Sequence, residues 1–179
     1  MAEASVTPSS DLREPNRYIT ATNNDGKSVF SSALPESLPV VRNINEALLR
    51  LCYVTDRPPV SLAGNIDITA YGKCLENPPE LVPPGGGSVV WYIDTPPEGS
   101  SPMHRTISLD LVVLLEGEVE LLLDGGETRL LRPGDLTLQR ATMHAWRNPS
   151  KIKWTRMLGV MSECEPVEIG GKKLRAEFS

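Results

Sequence analysis

Short runs of apolar residues, each bounded by proline, glycine or a polar turn, follow one another along most of the chain. Strands are predicted within these runs, at 66–71, 88–93, 109–115, 119–123, 129–131, 136–139, 144–147 and 152–161. Proline pairs and the triple glycine at 85–87 interrupt any longer element. Many short strands, frequent turns and scarcely any helix predict an all-β sandwich or barrel.

The first part of the chain is less regular. Asn24-Asp25-Gly26 lies between two β-prone runs and predicts a hairpin, as Gly170-Gly171 does near the end. The stretch 45–54 is ambiguous, because Asn45 could cap a short helix while 51–54 reads as strand. Residues 1–16 are rich in serine, proline and charge, so we expect a disordered tail there and a single domain over 17–179.

Composition narrows the classes of function. The chain has 179 residues and a net charge of −5, with no basic cluster larger than Lys172-Lys173, so neither nucleic acid nor a membrane is expected as a partner. No apolar run approaches the ~20 residues that span a bilayer, and the start lacks a secretory signal. Three cysteines without a close pair favour a reducing compartment, and we expect a cytoplasmic protein.

Two segments carry the candidate chemistry, and each contains one of the chain's 2 histidines. If 104–110 is extended, then His104, Thr106, Ser108 and Asp110 share one face of the strand. In an arbitrary antiparallel strand such a polar face would meet solvent. In that case the histidines would be ordinary structural residues.

The spacing of these segments resembles the two conserved halves of the cupin family. The matching positions are His104, Thr106, Asp110 and Gly117 in the first half, and Pro133, Gly134, Asp135, His144 and Asn148 in the second. Two identities depart from the pattern, since Thr106 replaces a histidine ligand and Asp110 replaces a longer glutamate. The resemblance implies a double-stranded β-helix, or jelly-roll barrel, with an N-terminal β extension, whose polar face points into the barrel.

Within cupins, the phrases MHRTISLD and QRATMHAWRN are similar to small cupin-domain oxidoreductases of fungi. Several of these are encoded beside polyketide synthases, in pathways to salicylaldehyde-type metabolites. The resemblance implies an enzyme of secondary metabolism, and by analogy a homodimer. The substrate would be a polyketide-derived carbonyl or hydroxy compound, and the reaction an oxidation, dehydration, decarboxylation or cyclisation. The alternative is a cupin that binds a small molecule without catalysis.

His104, His144 and Asp110 could form the site in two ways. Two imidazoles and a carboxylate suit a divalent metal such as Fe, Zn or Mn with open coordination positions. The shorter Asp110 could instead orient a histidine, and the trio would then act as a metal-free acid/base site. Both alternatives remain open.

Other residues are candidates for binding the substrate. Thr106 could hydrogen-bond the substrate or a metal-bound water, and aromatic or polar contacts are expected from Trp91, Tyr92, Gln139 and Trp146. No fingerprint of a nicotinamide or flavin nucleotide is present in the sequence.

Overall fold

A computed structural model describes residues 10–178 as two antiparallel sheets, two small hairpins and one α-helix. The helix is α1, Ile66–Glu76, preceded by a 3-10 turn at Ala63–Asn65. The strands are β1 Thr20–Thr22, β2 Ser28–Phe30, β3 Arg42–Ile44, β4 Ala47–Val54, β5 Ser88–Thr95, β6 His104–Arg105, β7 Ser108–Glu116, β8 Val119–Leu123, β9 Thr128–Leu131, β10 Leu136–Arg140, β11 His144–Arg147, β12 Thr155–Glu163, β13 Glu168–Ile169, β14 Lys172–Lys173 and β15 Glu177–Phe178.

The strand order is that of a jelly roll. One sheet runs β10-β7-β12-β5-β4-β3 and the other runs β15-β6-β11-β8-β9. From β5 to β12 the chain crosses repeatedly from one sheet to the other, and the two inner faces enclose the core. The predicted all-β class and the double-stranded β-helix are confirmed.

Alternation along β7 divides the interior from the surface. Ser108, Asp110, Val112 and Leu114 are buried, while Leu109 and Leu111 between them are exposed and Val113 is half-buried. Val112 and Leu114 pack against Val119, Leu121 and Trp146 of the opposite sheet and against Met157 of β12. This inward row therefore carries Asp110 to the space between the sheets.

The outer face of the six-stranded sheet is apolar around β7 and β10. Its exposed leucines include Leu109, Leu111, Leu136 and Leu138. The homodimer expected from the family resemblance stays a prediction.

The prediction of a strand at 66–71 is wrong, because this segment begins α1. Ile68 and Tyr71 are buried and Leu75 packs on the same core, which is a helical spacing. The Tyr71 hydroxyl donates to the Leu51 carbonyl of β4 at 2.7 Å. Tertiary packing thus outweighs the β-branched residues of the segment. With 11 residues, α1 is short, and no helix within 10–178 has the length and hydropathy to span a membrane.

The ambiguity at 45–54 is resolved in favour of strand. Asn45 and Glu46 both have positive φ, 47° and 67°, and form the two-residue turn between β3 and β4. Positive φ at both central residues is the signature of the hairpin turns that match strand twist. Asn45 is therefore a turn residue and not a helix cap.

The N-terminal segment differs in part from the expected tail. Residues 1–9 lie outside the described residues, whereas 10–16 lie against the barrel. Pro15 is buried, and its carbonyl accepts the Leu38 N–H at 3.3 Å. The Arg13 carbonyl accepts a hydrogen bond from Arg156 at 2.7 Å, and Glu14 pairs with Arg50 at 2.9 Å. Charged groups of the barrel thus hold a segment whose composition predicts disorder.

A buried ion pair joins the strands that form the back of the barrel. Arg156 of β12 donates from Nε and Nη2 to the two carboxylate oxygens of Asp94 on β5, each at 2.6 Å. Arg50 Nε of β4 lies 3.6 Å from the same carboxylate, and Asp94 is 0% exposed. This bidentate geometry compensates the desolvation of both groups.

Removing one partner of this pair should be far more damaging than removing a surface charge. Asp94→Ala leaves the buried Arg156 without its carboxylate partner and should lower the free energy of unfolding by about 3–5 kcal/mol. The matched control is Glu118→Ala, which breaks the exposed 3.4 Å pair with Arg132 and should cost at most about 0.5 kcal/mol. Urea denaturation measures both, and similar losses in the two variants would contradict the assignment.

Candidate active site

A cavity of about 150 Å³ lies between the two sheets, with His104, Asp110 and His144 in its wall. Most of the remaining wall is hydrocarbon, contributed by Ile44, Ala47, Leu49, Leu81, Ile93, Pro102, Val112, Trp146, Met157, Met161 and Phe178. A dry apolar cavity of about this size accommodates a benzene ring. The site can therefore enclose one small ring or a group of similar bulk.

The two histidines meet because their strands pair directly. His144 of β11 and His104 of β6 are opposite each other in the antiparallel register. Their ring centroids are 4.3 Å apart, with the planes inclined by 47°. Opposed residues on neighbouring strands project from the same face of the sheet. Both imidazoles thus reach the cavity from one side.

Backbone carbonyls orient both rings. His104 Nδ1 lies 2.9 Å from the Pro102 carbonyl, and His144 Nδ1 lies 2.9 Å from the Thr142 carbonyl. A carbonyl can only accept, so each Nδ1–H donates and Nε2 is left as the basic nitrogen. Gln139 Nε2 also lies 2.9 Å from His144 Nδ1, but an amide nitrogen cannot accept the Nδ1–H. Gln139 instead donates to the Thr142 carbonyl at 3.1 Å and holds the acceptor that orients the ring. Gln139 thus supports the imidazole from behind the cavity.

Burial keeps His144 neutral. Desolvation is the largest influence and lowers its pKa to about 4, the Thr142 carbonyl opposes this, and positive charge on His104 lowers the pKa further. At neutral pH His144 is therefore an uncharged hydrogen-bond acceptor at Nε2.

Asp110 has the opposite perturbation. It reaches the cavity from β7, it is 2% exposed, and its Oδ1 has no hydrogen-bond partner. Desolvation raises the pKa of this carboxyl to about 6, and a hydrogen bond from the Ser108 hydroxyl partly offsets the rise. An unpaired carboxylate oxygen in an apolar wall is costly unless a ligand uses it.

The donor set does not fit the predicted metal centre. Within residues 10–178, no group of three or more His, Cys, Asp or Glu side chains has the arrangement of a metal site. His104 and His144 form a close pair, but Asp110 does not complete a three-ligand set with them. The aspartate is one methylene shorter than the glutamate of the family pattern, and a threonine occupies the place of a histidine. The acid/base site that the sequence offered as the alternative stays a prediction.

Thr106 lies outside the cavity because two residues separate β6 from β7 and break the alternation. It is buried, and its hydroxyl lies 2.7 Å from that of Ser108. Ser108 in turn bonds to Asp110. Thr106 therefore reaches the site only through this chain of hydroxyl groups.

The aromatic candidates separate into two groups. Trp146 lines the cavity, with its ring 5.6 Å from that of His144. Trp91 and Tyr92 do not line it. Trp91 is fully buried among Leu49, Leu51, Val54 and Tyr71 and donates to the Leu81 carbonyl at 3.1 Å. The Tyr92 ring lies under the guanidinium of Arg156. The position of these two rings does not support their predicted contact with substrate in the cavity.

Three further positions of the family pattern support the barrel. The Asn148 side-chain amide donates to the carbonyls of Pro96 and Lys153, at 2.9 and 2.8 Å. The Asp135 carboxylate accepts the Arg132 N–H at 2.8 Å in the turn before β10. Gly117 has φ 79°, and a Cβ there would approach Thr155 Cγ2 to 2.7 Å. The pattern therefore marks turns and close approaches as well as the site.

One contact of the site has no local sequence signal. Phe178 lies on β15, which pairs with β6, and its ring stacks on His104 with 5.6 Å between centroids and 6° between planes. The residue is 74 positions from His104 in the chain, and only the strand pairing brings the two together. Arg105 and Glu177 add an ion pair at 3.8 Å across the same two strands.

Comparison with known proteins identifies the class. No family model matches the chain. It is 44% identical over 174 residues to phomopsin biosynthesis cluster protein D of Diaporthe leptostromiformis, covering 97% of this chain and 92% of that one. It is 38% identical over 173 residues to a cupin-domain-containing oxidoreductase of Hypocrea virens, covering 92% and 84%. The protein is a cupin, and it belongs to the cupin-domain-containing family found in fungal biosynthesis clusters.

Among solved structures, the polyketide cyclase RemF of Streptomyces resistomycificus is similar at 18% identity and a TM-score of 0.49, over 79% of each chain. A likeness of this degree carries no functional argument.

Asp110 should reduce stability at neutral pH. Its folded pKa of about 6 exceeds the ordinary 3.8, so the folded state binds the proton more tightly and loses stability as pH rises from about 4 to 6. Asp110→Asn removes the buried charge and should raise the free energy of unfolding at pH ~7.5 by up to about 3 kcal/mol. The gain over wild type should shrink towards pH ~4.

The control is Asp124→Asn, since Asp124 is exposed in a turn. Urea denaturation across this pH range measures both variants against wild type. His144 titrates in the same pH range in wild type and in both variants. Only the difference in the free energy of unfolding between a variant and wild type therefore isolates the contribution of Asp110. A gain in Asp110→Asn that does not vary with pH would contradict the assigned cause.

Proposed function

We propose that this cupin is an enzyme of secondary metabolism that moves protons on a small, neutral carbonyl or hydroxy compound, using Asp110 and the His104–His144 pair. The observation that carries the proposal is the buried, unpaired Oδ1 of Asp110 in the wall of the cavity that also contains both imidazoles. Proton transfer of this kind is the elementary step of dehydration and of aromatising cyclisation.

Asp110 is the base in this proposal. A carboxylate with a pKa of about 6 is ionised at neutral pH, and a pKa near the working pH suits general-base catalysis. It removes a proton from the carbon next to a carbonyl group, and the electron pair of that C–H bond moves to the carbonyl oxygen to give an enolate. The hydroxyl groups of Ser108 and Thr106 steady the carboxylate through the transfer.

The histidines act on the oxygen atoms of the substrate. His144 is neutral and accepts a hydrogen bond at Nε2 from a substrate hydroxyl. His104 is only half-buried, so its Nε2 takes up a proton from solvent and passes it to the enolate oxygen. The backbone carbonyls of Pro102 and Thr142 fix the tautomers that this division requires.

The apolar wall selects the rest of the substrate. Trp146, Met157, Ile93 and Val112 offer hydrocarbon, and no lysine or arginine of the described residues lines the cavity. An aromatic or partly reduced ring with one carbonyl and one hydroxyl group matches this environment. The family's occurrence in biosynthesis clusters agrees with such a compound.

Proton exchange on a probe ketone tests the proposal. The protein in D₂O should speed deuterium incorporation at the carbon bearing the hydroxyl of 2-hydroxy-1-phenylethanone, followed by NMR. Asp110→Asn and His104→Ala should each slow the enzymatic rate by about 10²- to 10⁴-fold. Asp124→Asn should exchange like wild type. Saturable binding of the ketone without any acceleration would favour the rival function, a cupin that binds a small molecule without catalysis.

The pH profile identifies the base. With a pKa of about 6, Asp110 is protonated below that pH, so the exchange rate should rise about tenfold per pH unit below pH ~6 and level off above it. The residual exchange rate of Asp110→Asn should not show this rise with pH. If the exchange rate of the variant still rose with pH over the same range, the base would be another group.

A further inference from the structure

A second hollow adjoins the cavity on the side of the C-terminal strand. It is a groove of about 570 Å³, nearly four times the volume of the cavity, and we call it the outer groove. Its wall includes Val82, Pro84, Ile107 and Ala176. Ile44, Leu81 and Phe178 line both spaces, so the cavity and the outer groove share one wall.

Phe178 forms the partition. Its ring stacks on His104 inside the cavity, yet the residue is 62% exposed because its other side faces outward. Among the described residues, the segment from 175 to 178 is held by the two residues of β15 and the Arg105–Glu177 pair, and residues 175–177 are exposed. A segment with so few buried contacts belongs to the least stable part of a fold. The segment that carries Phe178 is therefore the least firmly held part of the wall between the cavity and the outer groove.

Most polar groups of the outer groove are already engaged in the protein, including the Thr106 hydroxyl through Ser108, whereas Glu80 is exposed. Arg42 Nη2 donates to the Pro79 carbonyl at 2.6 Å. The Glu163 carboxylate accepts the N–H groups of Gly85 and Gly86, at 2.9 and 3.1 Å. With these groups occupied, the surface left for a ligand is mainly the hydrocarbon of the remaining wall residues.

We propose that the outer groove is a second subsite of the active site, which binds an apolar chain attached to the ring that the cavity holds. The inference rests on the proposed function and specifies its substrate class: a ring-bearing carbonyl compound with an alkyl or alkenyl substituent. The cavity admits only a ring-sized group, and the groove lies directly behind Phe178, so displacement of this ring would join the two spaces. Specificity for the length of the chain then resides in the groove, apart from the acid/base groups.

Calorimetric titration with two probe ketones tests the subsite. Wild type should bind the 4-pentylphenyl analogue of 2-hydroxy-1-phenylethanone at least about tenfold more tightly than the parent ketone, since each buried methylene adds affinity. Val82→Trp fills the outer groove and should bring this ratio close to one, with the parent affinity unchanged. Ala176→Trp, elsewhere on the same wall, should do the same. Val167→Trp adds the same side chain at an exposed position outside the groove, and it should keep the wild-type ratio.

Two results would overturn the subsite: equal affinities for both ketones in wild type, or a ratio that Val82→Trp and Ala176→Trp leave unchanged. The proposed function fails separately. If the protein binds the pentyl ketone in a groove-dependent manner but exchanges no deuterium, the subsite is supported and the acid/base chemistry is contradicted.

Discussion

A carboxylate enclosed by hydrocarbon is the constraint on which the candidate site depends. Asp110 lies in the inward row of β7, between Ser108 and Val112, on a strand paired on both sides by β10 and β12. Strand alternation leaves it no route to solvent without turning its apolar neighbours outward. The fold therefore carries the desolvation cost permanently, and only the Ser108 hydroxyl reduces it. Such a cost persists where function requires the group, and local rules of stability are most often broken at functional sites.

The sequence predicts the parts of this arrangement that depend on period and spacing. Alternation along β7 indicates which residues face inward, and the spacing of the two motif halves brings His104 and His144 together. Other features depend on contacts between distant segments. The helix α1 is stabilised by the packing of Tyr71 on Leu49, Leu51 and Val54 of β4, a distant contact that the β-branched residues of 66–71 do not indicate. Phe178 reaches His104 only through the pairing of β15 with β6.

Alternation also explains why Trp91 and Tyr92 do not line the cavity together. Neighbouring residues on a strand face opposite sides of a sheet, so the two rings could never line one pocket together. Tyr92 faces outward to Arg156, and Trp91 faces inward but lies farther along β5, under Leu81. Ile93, two residues later on the same inward face, is the one that reaches the cavity. The direction of a side chain is readable from a strand pattern, whereas its depth along the barrel is set by the other sheet.

The charges around the cavity distinguish among reactions that a cupin could perform. At neutral pH Asp110 is ionised and His144 is neutral, and no lysine or arginine among the described residues lines the wall. An anionic substrate would meet a like charge in an apolar space without a lysine or arginine to compensate it, which is unfavourable. This argues against decarboxylation, whose substrate enters as a carboxylate. Dehydration and cyclisation begin with neutral hydroxy-carbonyl compounds, and in the proposed mechanism their enolate would develop beside His104, where a proton from solvent can reach it.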